Sequence, residues 1–367
     1  MTAATRTDAL TIREIRTVPV LAPLAKPMRT ASGAILQAPL VLIDLLTEEG
    51  VTGRAYVFSY QTTALKALDE LVRGVGATLA GEPAVPFEIE RALRARFTLL
   101  GGPRNLAAYA LAGLDMAVWD ALAVARGVPL VELLGGRRKP LPAYASFGML
   151  GPQEAAAECA AAAEAGFSGV KIKIGWPTLD ADLAAVRAAR RALPDRVALM
   201  VDFNQSLGVA EAGRRCRALE GEGVYWIEEP VRCDDFAGHA ALARMLDVPV
   251  QIGENFAGPF EMQRALEARA CDFVMPDVQQ IGGVTGWMRA AAIAQAYGCD
   301  CSSHIFVEAS AHLLAVTPTA HFLEHLDLAG SLLEAPLAIE RGMVEAPARP
   351  GIGLAWDAAA VERCRVH

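Results

Sequence analysis

Eight short apolar runs recur in the second half of the chain: LPAYASFG, SGVKIKIG, VALMVDFN, GVYWIEEP, VPVQIGEN, CDFVMPDV, CDCSSHIF and AHFLEHLD. Stretches of helical length separate them, as strands joined by crossover helices require. Most runs end in a polar or charged residue. The endings Asp202, Glu228, Glu254, Asp277, His304 and Glu324 lie 26, 26, 23, 27 and 20 residues apart, about one strand plus one return helix per interval. In a (β/α)8 barrel the C-terminal strand ends surround one mouth. The predicted fold class is therefore α/β, a (β/α)8-type TIM barrel. Alternation alone also fits an open doubly wound sheet, but no GxGxxG opens a βα unit.

The chain before the barrel has a different rhythm. Strand signals come first, with APLVLIDLLTEEGVTGRAYVF (38–58) as a hairpin turning at Glu48–Gly50. Helical periodicity follows over 63–81 and over 106–127, the latter stopping at Gly127. Strands followed by helices predict a separate α+β unit over 1–135, a barrel over 136–335, and a C-terminal segment, 336–367. Hydrophobic residues make up 53% and charged ones 21%, enough for a large core. The net charge of −8 argues against nucleic acid or an anionic membrane as partner. The N-terminus lacks the apolar core of a signal peptide, and no uncharged apolar segment has spanning length. The seven scattered cysteines form no CxxC pair. They are expected to be reduced, buried thiols of a cytoplasmic protein.

The polar endings carry the chemistry. Asp202, Glu228 and Glu254 on three consecutive strand ends would repel one another unless a divalent cation sat between them, and all-oxygen ligation favours Mg²⁺. Each could instead cap the following helix. Asp277 and His304, on neighbouring strand ends, make a carboxylate–imidazole pair in which the acid fixes the ring's tautomer and raises its basicity. His312, His321 and His325 are expected to be structural. Alternation along SGVKIKIG sends Lys171 and Lys173 to one face, with Val170, Ile172 and Ile174 on the other. Next to a second ammonium and a metal, Lys173 should have a depressed pKa and act as a base, with Lys171 pairing to a substrate carboxylate. Two bases flanking a metal-bound carboxylate serve removal and return of an α-proton, with electrostatic stabilisation of the enediolate. A protonated Glu324 could donate a hydrogen bond to the developing oxyanion.

KIKIG, VDFNQ, WIEEP, IGEN, MPDVQQIGGVTGW, SSHIF and HFLEHLDLAG together resemble the mandelate racemase subgroup of the enolase superfamily, over nearly the whole chain. The resemblance implies Mg²⁺ on Asp202, Glu228 and Glu254. It also implies Lys173 as base for one enantiomer and His304 with Asp277 for the other. Lys171, Asn204, Glu324 and Ser146 would contact the substrate, and the C-terminal segment would return to the capping domain. It implies a homo-oligomer, an octamer.

Specificity, by the same resemblance, comes from a capping-domain loop closing over the barrel, here LAKPMRTASGAIL (24–36), with Phe58 and Tyr60. Met28 and Ile35, with Ile305 and Leu326 of the barrel, give this pocket apolar character. Ser32 replaces a valine of the family pattern. Lys26 and Arg29 add charge that either points to solvent or meets an anionic part of a substrate. The expected partner is a small carboxylate. Racemisation of a 2-hydroxy acid such as mandelate is favoured. Dehydration of an acid sugar through the same enediolate is the alternative, and a non-catalytic binder would lack a base or ligand that this chain retains.

Overall fold

The computed structural model describes residues 10–31 and 33–366. Three antiparallel strands open the chain: β1 (Ile12–Thr30), β2 (Gly33–Thr47) and β3 (Thr52–Phe58), in the order β1-β2-β3. Leu46 pairs with Thr52 across the expected turn. Prolines 19, 23 and 27 are tolerated because β1 lies at a sheet edge, and its register slips between Pro23 and Met28. Beyond that slip Met28 pairs with Ile35 and Thr30 with Gly33. The segment expected as a loop over 24–36 is thus the tip of a β-hairpin, because Thr30 and Gly33 approach closely enough for strand pairing. Ser32, expected in the pocket, lies outside the described residues.

Helices α1 (Thr62–Ala77), α2 (Pro86–Arg96) and α3 (Leu106–Arg126) complete the cap. α3 ends where Gly127 takes φ 67°, the left-handed C-terminal conformation that glycine adopts most easily. A Cβ on Gly53 would come within 2.1 Å of the Ala117 carbonyl, so β3 and α3 pack backbone to backbone. α3 is also the one helix among the described residues long and apolar enough to cross a bilayer, but 72% of that window is buried inside the protein.

The barrel strands are β4 (Leu141–Met149), β5 (Gly169–Lys173), β6 (Ala198–Asp202), β7 (Val224–Glu228), β8 (Val250–Ile252), β9 (Phe273–Val274), β10 (Asp300–Cys301) and β11 (Leu323–His325). All eight anticipated runs form strands. Each pairs in parallel with the next from β4 to β10, β11 pairs with β4, and a Cys301–Ala320 bridge closes the ring. Tyr144, Met200 and Trp226 fill the interior as one buried cluster, so the barrel is packed below its mouth. After β11 the described chain enters a short 3-10 turn, Gly330–Leu332, rather than an eighth barrel helix. It then pairs Met343 and Val344 with the start of β4 and ends in helix Ala358–Cys364, with Val366 N–H donating to Pro19 in β1.

Two buried carboxylates of α3 tie these parts together. Asp120 accepts from the backbone N–H of Arg54 and Ile352. Asp115 accepts from the Thr285 N–H at 2.9 Å and hydroxyl at 2.5 Å on a barrel helix. Burial, only partly offset by the Thr285 bonds, raises Asp115 from the ordinary 3.8 to about 7. A raised carboxyl keeps its proton longer in the native state, so its stabilising effect is full below about pH 4 and lost as pH rises through about 7. About three units at about 1.4 kcal/mol each is roughly 4 kcal/mol as an upper figure. Chemical denaturation from pH 4 to 8 should show stability falling as pH rises. Asp115→Asn should remove about one proton from that linkage, and an unchanged slope would contradict this assignment.

Candidate active site

All five residues of β5 are buried. Lys171 and Lys173 point into the barrel, while Val170 and Ile172 face the helical layer. Lys171 is fully buried, with its ammonium 2.5 Å from Glu228, 2.8 Å from Glu324 and 5.5 Å from the centroid of the Tyr144 ring beneath it. It is not among the side chains that line the cavity above. Its place is a layer lower, and it acts on the site through Glu228 and Glu324. Lys173, one layer up, reaches the cavity and lies 2.5 Å from Asp202.

Asp202, Glu228 and Glu254 each offer a carboxylate oxygen within 4.8 Å of the others. Trp226 and Gln251 donate to Glu228, and Asn255 donates to Glu254. The Oδ1 of Asn204 is nevertheless buried without a hydrogen-bond partner, and the Oε2 of Glu254 has only the His304 Nε2 near it, at 3.2 Å. With Asp277, Glu324 and Glu229, which shares Asn255 with Glu254, six buried or nearly buried carboxylates crowd three cationic groups, Lys171, Lys173 and His304. Negative charge is in excess. Burial and the neighbouring acids push Glu228 well up despite Lys171, a crowding that a bound divalent cation relieves. An oxygen-only set of this charge and spacing fits a hard cation such as Mg²⁺.

Without the cation, the carboxylates dominate proton affinity in the site. Burial is the largest single influence on Lys173 and pulls it down, but Asp202, Glu254 and Glu228 together outweigh it, and the net direction without a cation is up. Neighbouring carboxylates dominate over the second ammonium, so lowering this lysine requires neutralising Asp202. Burial raises Glu324, yet without the cation Lys171 and His304 bring it down to about 2, and it accepts the Ile305 N–H at 3.1 Å.

Asp277 and His304 are bridged in parallel just beyond β9 and β10. The His304 Nδ1 lies 2.7 Å from Asp277 Oδ2, and its Nε2 lies 3.2 Å from Glu254. Asp277 orients the ring and leaves Nε2 toward the cavity. Burial lowers the imidazole's pKa, but Glu254 and Asp277 more than reverse this.

A cavity of about 640 Å³ opens over these groups between cap and barrel. Met28, Ile35, Phe58 and Tyr60 of the cap line it, with Ser146, Asn204, Ile305 and Leu326 of the barrel. Lys173, Glu254, His304 and Glu324 form its reactive floor. Lys26 and Arg29 are exposed and do not line it, and Lys26 pairs with Glu158 on the outside. The wall is also more polar than expected, because Gln37, Gln61, Thr62, Thr63, Gln205 and Asn255 contribute. Gln205 and Asn255 lie next to ligand-bearing strand ends, inside the quoted stretches VDFNQ and VPVQIGEN. Thr62 and Thr63 begin α1 and reach the cavity only through docking of the cap. Tyr60, Asn204, Gln205, Glu229, Ile305 and Phe306 have φ between 36° and 64°. Such strain costs about 1–3 kcal/mol per residue and concentrates at functional sites.

A capped barrel with three acids on consecutive strand ends and bases on either side is the architecture of an enolase-superfamily enzyme. Two family models match: Mandelate racemase / muconate lactonizing enzyme, N-terminal domain, over residues 12–135, and Enolase C-terminal domain-like, over 154–360. The chain belongs to the mandelate racemase/muconate lactonizing enzyme family. An enolase from Bradyrhizobium, crystallised with magnesium and mandelic acid, superposes with a TM-score of 0.95 at 45% identity, covering 98% of this chain and 100% of that one. An L-talarate/galactarate dehydratase from Salmonella typhimurium is 29% identical over 96% of this chain and 91% of its own. A 3,6-anhydro-alpha-L-galactonate cycloisomerase from Streptomyces coelicolor is 30% identical over 94% and 97%.

Because Lys171 is the buried counter-charge to Glu228 and Glu324, Lys171→Met should cost about 3–5 kcal/mol at neutral pH, the usual penalty for breaking a buried pair. Denaturant unfolding measures it. A loss below about 1 kcal/mol would contradict the structural role given to this lysine.

Proposed function

We propose that this protein removes and returns the proton α to a carboxylate with Mg²⁺ on Asp202, Glu228 and Glu254, and that its reaction is racemisation of an aryl or apolar 2-hydroxy acid such as mandelate. The observation carrying this reading is the sharing of one cavity by two differently supported bases, Lys173 beside Asp202 and His304 beside Asp277.

The metal would neutralise the carboxylates that hold Lys173 and His304 in their charged forms, polarise the substrate carboxylate and offset the charge of the enediolate. Lys173 takes the α-proton from one enantiomer through Nζ. His304 Nε2 delivers a proton to the opposite face, and its Nδ1–H bond to Asp277 stabilises whichever ring form results. In the reverse direction the two groups exchange tasks. Ser146 and Asn204 contact the substrate carboxylate, while Lys171 keeps Glu324 ionised and in place. The cap wall of Met28, Ile35, Phe58 and Tyr60 covers the side chain of the substrate and excludes water. The mandelic acid bound by the Bradyrhizobium relative supports an aryl substrate.

Acid-sugar dehydration is the second reading. Thr62, Thr63, Gln37 and Asn255 on the wall favour it, since hydroxyl groups need such partners, and the Salmonella relative is a dehydratase.

Proton NMR in D₂O with Mg²⁺ separates the two. Each mandelate enantiomer should exchange its α-proton as optical rotation decays. His304→Asn should lose about 10²-fold or more of the exchange from one enantiomer, the usual scale for a general base, while Lys173 sustains exchange from the other. Equal loss for both would contradict the two-base assignment. Inert mandelate together with keto-acid formation from galactarate would select dehydration.

A further inference from the structure

The wall of the cavity and the imidazole on its floor are joined by one short turn. Asp277 precedes it. Its Oδ2 takes the His304 Nδ1–H at 2.7 Å, while its Oδ1 accepts the backbone N–H of Gln279 at 2.7 Å and of Gln280 at 3.0 Å. The side chains of the same two residues turn to the cap. Gln279 is fully buried. Its Oε1 accepts the Phe58 N–H at 2.7 Å, and its Nε2 donates to the Phe58 carbonyl at 3.0 Å. Gln280 Nε2 donates to the Tyr109 oxygen at 2.9 Å. Phe58 and Tyr60 form the cavity wall, with ring centroids 4.4 Å apart. On the far side of His304 the same cap strand is anchored again, by the Tyr56 hydroxyl donating to Glu308 at 2.8 Å and by Tyr56 stacked on Phe306 at 5.1 Å.

A side-chain amide bonded to both the N–H and C=O of one residue fixes that residue as a strand partner would. Gln279 therefore holds the end of β3 in register with the turn whose backbone N–H groups aim Asp277. Asp202, which supports the other base, bonds to Lys173 and to the Asn204 N–H, both in the barrel. This hydrogen-bonded path to the cap leads to the imidazole, whereas on the lysine side the hairpin tip packs against Gly148 and Gly175.

We propose that Gln279 is a positioning residue that ties docking of the Phe58–Tyr60 wall to the orientation of His304, so that the histidine half of the reaction depends on this bonded tie and the lysine half does not. This rests on the two-base reading above. Movement of the wall by a misfitting substrate is relayed through Gln279 to Asp277 Oδ1, and the imidazole leaves its productive angle.

The test uses Gln279→Met, which keeps side-chain length and removes both bonds to Phe58, and the milder Tyr109→Phe, which removes only the partner of Gln280. In the magnesium-loaded protein, exchange into D₂O is followed for each mandelate enantiomer. Gln279→Met should lose about tenfold or more of the His304-dependent exchange, defined as that abolished by His304→Asn, and less than about threefold of the other. Tyr109→Phe should shift the same ratio in the same direction by less. Equal losses for both enantiomers, or none, would overturn the proposal. The nitrogen and proton resonances of ¹⁵N-labelled His304, recorded without substrate, give a readout independent of turnover. The signal of the Nδ1–H bond to Asp277 should weaken or broaden in Gln279→Met. An unchanged spectrum would overturn the proposal even if no substrate had been found, whereas a wild-type protein inert toward mandelate would count against the functional reading alone.

Discussion

Crowded negative charge in the barrel mouth is the constraint on which the rest of this molecule depends. Asp202, Glu228, Glu254, Asp277 and Glu324 converge where water is largely excluded, and isolated buried carboxylates are not tolerated. The chain answers with Lys171 and Lys173 on one strand and His304 across the barrel. Each cation has a defined acid: Lys171 meets Glu228 and Glu324, Lys173 meets Asp202, and His304 meets Asp277. What remains is an excess of negative charge, which a divalent ion relieves. The arrangement that makes the site tolerable is also the one that stabilises a second carboxylate as it becomes an enediolate.

The barrel supplies position and the cap supplies enclosure. Parallel strands place consecutive side chains around a ring, and the layer of Tyr144, Met200 and Trp226 supports Lys171 from below. The cap closes the cavity from two directions that differ in attachment. The β3 end is held by amide and hydroxyl bonds to the turns flanking His304. The hairpin tip at Met28–Ile35 instead lies backbone to backbone against β4, where a Cβ on Gly148 would come within 2.6 Å of the Arg29 nitrogen. Strained residues at the strand ends bring Asn204 and Ile305 to the cavity from positions that regular strands would not reach.

Much of this was legible in the residues. Strand periodicity survives because each barrel strand buries both faces, so all eight runs stand out, and the polar endings stand out against them. The acid triad and the Asp277–His304 pair follow from spacing alone. Harder to see was which of two adjacent lysines reaches the cavity. Alternation puts Lys171 and Lys173 on one face, but their depth depends on barrel layering, which a linear pattern does not carry. A neighbouring ammonium is visible in the sequence, while the closeness of Asp202 to Lys173 on the next strand is not. The hairpin at 24–36 was hidden by Pro27, with Pro19 and Pro23 just before it, all tolerated because β1 is an edge strand. Thr62, Thr63 and Gln279 became visible only once the cap was docked.

The most direct measurement of the charge-balance account is an anomalous difference map from crystals grown with Mn²⁺ in place of Mg²⁺. The account predicts one strong peak bonded to an oxygen of each of Asp202, Glu228 and Glu254, at about 2.1 Å as for a hard octahedral ion, with the Lys173 ammonium displaced from Asp202. A peak at another position, or none while Lys173 stays on Asp202, would contradict it.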